Sequence, residues 1–440
     1  MHHRTIALMT LGLLAACGGD DGNGGTAPSG GGIDSLSTGS ADGMTEGEDL
    51  ADSGDKLDAA GGSATQGGGD CPGGGGMPGD LEFSNIWIAN TPEGTVSKID
   101  TMSGTEVGRY RTGATTESDP SRTSVNLLGD VAVVNRAGGT VVKIAAVEDR
   151  CVDGNGDGVI QTSTGPGDVL AWGEDECVRW ETTLHTGARA AAWDSGSDPD
   201  NLDDMGCMVV DPNLWVSAMD GSDTVHVWRL DGETGTMMDE ATLPGWTGGW
   251  GGVYGGVVDR ERGFWGTGKE NTLLVHVDAQ TLELTTHDAA GYERFYGIAM
   301  DADGTPWIAA EFDDRLLHFD RGTELFIDHG QTGHGSLRGL AIDEGGNAWI
   351  AANSPCDLVR FDAATGAYEN IALADCGTPV GVSIDVEGFI WVVDQGSNRA
   401  YKVDPSTRAV VSTVLGLVGP YTYSDMTGAG LSLVTNPPPA

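Results

Sequence analysis

The chain has 440 residues, of which 66 are acidic and 23 basic, for a formal net charge of -43. That balance argues against nucleic acid as a partner, because phosphate binding is carried by clustered Lys and Arg, and against docking on anionic lipid headgroups. Glycine, at 71 residues, is more than double its usual ~7% share, and beyond the N-terminus nothing approaches the ~18 uninterrupted apolar residues of a membrane span.

The chain opens with Met1-His2-His3-Arg4, continues as an apolar run from Thr5 to Leu14, and reaches Ala15-Ala16-Cys17. A basic start, a short apolar centre and small residues before a cut describe an export signal. The run is too short to cross ~30 Å of hydrocarbon as a helix. Leu14-Ala15-Ala16-Cys17 resembles the bacterial lipobox, which implies cleavage before Cys17 and acylation of that residue. The simpler reading is a plain secretory peptide with an incidental Cys. Several acyl chains anchor a protein stably where one does not. The expectation is a signal peptide over 1–16 and a lipid-anchored product in a bacterial cell envelope, at the periplasmic face or the cell surface. The membrane would be touched only through Cys17.

Residues 17–80 are Gly, Ser, Asp, Glu and Thr with hardly an aromatic. Such a segment cannot bury enough apolar surface to offset its ordering entropy. It is expected to be a disordered, self-repelling tether that gives the body reach.

From Leu81 a period appears. Gly255-Gly-Val-Val-Asp259, Gly297-Ile-Ala-Met-Asp301, Gly339-Leu-Ala-Ile-Asp343 and Gly381-Val-Ser-Ile-Asp385 are 42 residues apart. Trp265, Trp307, Trp349 and Trp391 keep the same interval, as do His276, His318, Arg360 and Lys402. A period near 40 with alternating β-branched residues predicts one four-stranded propeller blade per repeat. Looser copies surround Trp87 with Lys98, Asp130 to Asn135 with Lys143, and Gly206 to Asp211 with Trp215 and His226. The fold class is therefore all-β, a seven-bladed propeller over 81–440. Blade 1 lacks an inner strand, and Tyr421 to Val434 is left over; the expectation is that this terminal strand closes the ring, which removes exposed edges. The recurring Trp is expected to pack between blades and the basic residue to pair with nearby acids.

If the first strand of each blade runs from upper to lower face, the blade-to-blade crossings and second-to-third loops share the upper face. The upper rim is then expected to carry Trp250, Tyr254, Tyr292, Arg294, Tyr296, His334 and Arg338, with Lys269, Glu311, Asn353 and Asp394 on the loops. A crossing from Gly187 to Met205, with Trp193 and Asp194, is expected to cover part of the funnel. Aromatic and charged groups converging in a concavity make the default binding site. Trp250, Tyr254, Tyr292, Arg294, Tyr296, Arg338 and Asn353 are the ligand-binding candidates, for a small molecule, glycan or protein bound by a monomer.

Cys151 with Cys177 and Cys356 with Cys376 are expected as disulfides in an exported chain. Each closes a short loop, worth roughly 3 kcal/mol on the chain-entropy model. The pairing of Cys71 and Cys207 is left open. Inside the first bracket lies Asp153-Gly-Asn155-Gly-Asp157-Gly158-Val159. Oxygen ligands at alternate positions with Gly at the sixth suit a hard, flexible Ca²⁺ shell. Asp153, Asn155, Asp157 and Val159 are the metal candidates, for a structural ion below the disc. Thr164 replaces the usual last carboxylate, and Asp168, Glu174, Asp175 or Glu176 could fold back to supply it. The other reading is a solvated acidic turn.

The unit Gly-Ile-Ala-Met-Asp-Ala-Asp-Gly-Thr-Pro-Trp-Ile-Ala-Ala-Glu (297–311) resembles the repeat of virginiamycin B lyase and of NHL and gluconolactonase-type propellers. The resemblance is architectural over 81–440 and strongest over 250–419. It implies elimination chemistry on cyclic depsipeptides, with a divalent metal such as Mg²⁺ and a His base placed just before the inner-strand Gly. Those places hold Tyr254, Tyr296, Arg338 and Val380 here, none of them His. The family carboxylate matches Asp394, while Ala310 and Ala352 stand at its place in the two preceding blades, with Glu311 displaced by one. Proton abstraction at neutral pH then lacks its usual agent, and Glu311, His334 and Asp394 are the only catalytic candidates. The lactonase likeness implies an axial calcium cluster, for which Glu311, Asn353 and Asp394 are the right types. Fold likeness alone transfers no activity. The function expected is binding through the upper funnel, with a metal-dependent lyase or lactone hydrolase as the alternative.

Overall fold

The computed structural model describes residues 84–202, 208–249 and 251–438, with backbone only for 197–202 and 208–209. The signal, the tether, Cys17, Cys71, Cys207 and Trp250 lie outside the described residues.

Seven blades form, and six are antiparallel four-stranded sheets. Each of blades 4 to 7 uses one 42-residue unit. Blade 6, for example, runs Ser336–Ile342, Ala348–Asn353, Asp357–Asp362 and Ala367–Ala372. Its inner strands read as near-continuous apolar runs because both faces are covered by neighbouring blades, and its fourth strand is mostly exposed. Blade 1 has three strands of its own, Asn85–Asn90, Thr95–Asp100 and Thr105–Arg111.

The C-terminal segment supplies the missing edge of blade 1. Tyr421 N–H donates to Ala89 O at 3.1 Å and Trp87 N–H to Met426 O at 2.9 Å, and Asn90 bridges Pro420. The ring is thus closed by the tail, with one difference from expectation. The tail is an irregular strand that ends by Gly428, whose φ of 86° turns it into the helix Ala429–Thr435. Leu431, Leu433 and Val434 on that helix are buried in three separate apolar clusters, so it plugs the lower end of the axis.

One aspartate organises each regular blade. Asp343 Oδ1 accepts the amides of Gly345 and Asn347 in the first hairpin turn, while Oδ2 accepts the indole N–H of Trp349 at 2.8 Å. Asp301 and Asp385 repeat the pattern with Trp307 and Trp391. The basic residue of the unit pairs with these acids in some blades: Lys402 lies 3.0 Å from Asp385 and His276 3.7 Å from Asp259. In blade 5 it does not; His318 meets His329 instead. At the axis, glycine is required by close approach. A Cβ on Gly339 would stand 2.7 Å from Val380 O, and one on Gly381 2.0 Å from Thr422 O.

This signature relocates two inner strands. In blade 3, Asp194 accepts the amides of Gly196 and Asn213, so the inner strand is Ala191–Trp193 and not the Gly206–Asp211 stretch. Met208–Val210 pairs with Ser197–Leu202 in a two-stranded hairpin inserted between the first and second strands. That connection belongs to the lower face, so the described part of the insertion, 197–202 and 208–210, does not cover the upper funnel. In blade 2 the inner strand is Pro120–Val125, and Asn126 takes the aspartate's place by accepting the amides of Leu128 and Asp130.

Replacing Asp343 with Ala leaves a buried indole and two turn amides without their acceptor. The expected loss is about 3 kcal/mol of unfolding free energy, read from the shift of the denaturant midpoint, and a loss under about 1 kcal/mol would refute the organising role.

Candidate functional site

Counting back from each blade aspartate identifies the residues that ring the axis. The place just before the axial glycine holds Arg189, Tyr254, Tyr296, Arg338 and Val380 in blades 3 to 7. The register agrees, since Arg189 N–H donates to Ser217 O as Tyr254 N–H donates to Thr267 O. In blade 2 the axial glycine itself is replaced by Arg122. In the tail its place is taken by Tyr423.

These substitutions fill the axis near its upper end. Tyr254, Tyr296 and Tyr423 form one buried cluster, with Tyr421 packed against it. Tyr421 Oη lies 2.9 Å from both Tyr254 Oη and Tyr296 Oη. Of the four rings only Tyr421 keeps a partly exposed surface. The Arg122 guanidinium, wholly buried, donates twice to Tyr254 O and lies 4.5 Å from the Tyr254 ring centroid. Burial lowers its pKa to about 9, which still leaves it charged at neutral pH. Lys269 Nζ sits 4.6 Å over Tyr254 and 4.1 Å over Tyr296, and Arg189 lies 5.1 Å from Tyr254. Arg338 lies 5.5 Å from Tyr296, with its buried Nε lacking a hydrogen-bond partner. Arg136 lies 5.0 Å over Tyr421. Cations over ring faces are attracted by the ring quadrupole, most strongly when desolvated.

The ionisation of the phenols divides accordingly. Burial pushes Tyr254 and Tyr296 above their usual range. Burial pushes Tyr421 up as well, but the Arg122 charge, the two phenol hydrogen bonds and Lys269 outweigh it, and Tyr421 falls below the usual value of 10.0. Phenols that donate to a neighbouring phenol favour that neighbour's ionised form and disfavour their own.

The remaining candidates are held elsewhere. Glu311 is buried against Lys269 at 3.0 Å and Arg294 at 3.8 Å. Arg294 also pairs with Glu270 at 2.7 Å. His334 has 0% of its side chain exposed, between Thr332 and Asp357. Asp394, fully buried, accepts the amides of Gly377, Thr378 and Gly396 and the Ser397 hydroxyl, which makes it a loop fastener. Asn353 donates to Pro379 O. Glu311, Asn353 and Asp394 therefore serve three separate networks. Among the described residues the only close set of three His, Cys, Asp or Glu groups is Cys356, Cys376 and Asp394, and its two sulfurs form a disulfide. Tyr292 lies outward, bonded to Asp328. Of the residues singled out from sequence, Tyr254, Lys269, Tyr296 and Arg338 meet at the axis.

Both expected disulfides form, Cys151–Cys177 and Cys356–Cys376. In the loop they bracket, Asp153 accepts the amides of Gly156 and Gly158, Asn155 that of Asp157, and Asp157 that of Val159. Glu176 folds back and accepts the amides of Gly154, Asn155 and Gln161. The Gln161 side-chain amide donates to Asp157 and to Val159 O.

No protein-family model matches the sequence, and no curated protein does. Among solved structures the fold is similar to that of a streptogramin B lyase, 14% identical, with a TM-score of 0.53 over 71% of this chain and 88% of that one. Another similar structure is selenomethionine-substituted virginiamycin B lyase from Staphylococcus aureus, 11% identical, TM-score 0.49, over 71% of this chain and 90% of the other. At such identities the likeness is one of fold.

Sequence reasoning missed Arg122, Arg189, Tyr421 and Tyr423 as site residues. The signal for Arg122 was Asn126 four residues on, in the aspartate's role; the signal for Tyr423 was its 42-residue distance from Gly381.

Lys269→Met would strand the buried Glu311 carboxylate with only the more distant Arg294. The expected loss is about 3 kcal/mol of stability, measured by chemical denaturation, with Glu311→Gln in the same background restoring part of it.

Proposed function

We propose that this chain is an exported lipoprotein, anchored through Cys17 and held off the membrane by its acidic tether, whose propeller binds a small ligand in the upper funnel. One observation carries the reading. A chain of net charge -43 concentrates Arg122, Arg189, Lys269 and Arg338 around four converging tyrosines at its axis. Lys269 is already met by Glu311. An anionic group on a flat or apolar body would answer the charge of Arg338, whose buried Nε has no hydrogen-bond partner, and of the wholly buried Arg122, while resting on the ring faces. The lyase alternative has the matching fold, but its expected base positions carry Tyr254, Tyr296, Arg338 and Val380, and His334 is sealed away from solvent.

A panel of aromatic carboxylates and phosphates, titrated against the purified chain and read by intrinsic fluorescence, tests this. Arg338→Ala is expected to weaken binding at least tenfold, about 1.4 kcal/mol. Cyclic depsipeptides with Mg²⁺ or Ca²⁺ are expected to remain unopened. Depsipeptide turnover, or affinity indifferent to Arg338, would overturn the proposal.

The 153–159 loop we propose as a structural Ca²⁺ clip. Gly158 at its sixth position has a φ of +83°, and side-chain oxygens stand at alternate positions as a flexible oxygen shell needs. Asp153, Asn155, Asp157 and the Val159 carbonyl would hold the ion once the Gln161 amide swings off Asp157. Chelation is then expected to lower the melting temperature by several degrees, and Asp157→Ala to abolish that response; an unmoved melting curve under chelator refutes the clip.

A further inference from the structure

The ligand-binding reading of the funnel leaves open what Tyr421 does there. Its neighbours do not suit a passive ring. Tyr254 and Tyr296 are fully buried phenols whose oxygens both end 2.9 Å from Tyr421 Oη. Two phenol hydroxyls that donate to one central oxygen, with cations close above it, favour the ionised form of that oxygen.

The charges around it favour the same assignment. From blade 2 come Arg122 and Arg136, the latter paired with Asp119 at 2.6 Å. Blades 3 and 4 bring Arg189, Tyr254 and Lys269, blade 5 brings Tyr296 and Glu311, which is tied to Lys269, and blade 6 brings Arg338. Tyr423, from the tail itself, stacks on Tyr254 and leaves its own buried hydroxyl without a partner. Among these groups the cations outnumber the carboxylates. The direction of ionisation already described for Tyr421 agrees with the geometry, and its partly exposed surface is the one the funnel can reach.

We propose that Tyr421 is the proton-accepting group of the funnel, a phenolate that takes a proton from a weakly acidic ligand: a phenol, an enol, or a C–H beside a carbonyl. The ligand's O–H or C–H bond breaks, an O–H bond forms on Tyr421, and the electron pair stays on the ligand as an anion. Lys269 and Arg122 then face that anion where they had faced the phenolate, so the charge inside the funnel is unchanged by the transfer. A positioned oxygen base of this kind does the work usually given to imidazole in proton abstraction.

The inference rests on the funnel being a ligand site, and its test separates the two. Near-ultraviolet difference spectra of the full chain, titrated with pH, count ionising phenols without any ligand. Subtracting the Tyr421→Phe titration from the wild type is expected to leave one phenol with a midpoint clearly below 10.0, the ordinary value. Tyr296→Phe, which deletes one of the two donors and little volume, is expected to raise that midpoint by about one unit. The second arm uses para-nitrophenol, whose colour reports its ionisation, in a weakly buffered solution with proton release measured. Wild type is expected to bind it as the phenolate with no net proton released, while Tyr421→Phe releases one proton per molecule bound. A difference titration with no phenol below the ordinary value, or equal proton release by both proteins, overturns the proposal. Nitrophenol that fails to bind while the low-midpoint phenol persists counts against the ligand site and not against the phenolate.

Discussion

The carboxylate at the lower end of the inner strand in blades 3 to 7 is the constraint on which the rest depends. One oxygen of Asp343 fixes the first hairpin turn and the other fixes the indole of Trp349. A single side chain thereby sets the turn, the register of the second strand and the position of the largest buried group in the blade. Wrong registers would leave that carboxylate, the indole or the amides buried and unpaired, which is penalised far more than a good pairing is rewarded. Repeating the unit at 42-residue spacing then generates wedges of one shape, and wedges of one shape close into a ring.

Ring closure brings the inner strands so near one another that the axial position tolerates no Cβ in blades 6 and 7. The site arises where that rule lapses. Blade 2 carries Arg122 and the tail carries Tyr423 at places where the regular units have glycine, and the side chains enter the axis they would otherwise be excluded from. The regular blades 4 to 6 bring Tyr254, Lys269, Tyr296 and Arg338 to the axis, and the irregular parts, blade 2, blade 3 and the tail, add Arg122, Arg189, Tyr421 and Tyr423.

The same division explains what could be read from the sequence. Blades 4 to 7 keep strict spacing, and their strands, Trp positions and faces were legible, as were both disulfides. Blade 3 was misplaced because an insertion separates Asp194 from Trp215, so the later Gly206–Asp211 stretch looked like the inner strand. The tail was legible as the closing edge but not as a helix, because Gly428 ends the strand and its effect depends on the plugged axis beneath. The catalytic candidates Glu311, His334 and Asp394 are each engaged elsewhere: Glu311 by Lys269 of the preceding blade, His334 by Asp357, and Asp394 by a set of backbone amides. Residue type at a loop position says nothing of whether its valence is already taken.

For the ligand site proposed at the axis, the charge arrangement would set what is admitted. At physiological ionic strength charges are screened beyond roughly 8 Å, so distant acidic groups do not cancel the cations at the axis. Those cations act at short range on whatever reaches the tyrosine floor. A multiply charged anion would meet the outer acids before it met them. Under the phenolate proposal a neutral acid would not be repelled on approach and would become an anion only on losing its proton beside Lys269. An acidic exterior around a cation-rimmed floor would then favour ligands that arrive uncharged and are held ionised.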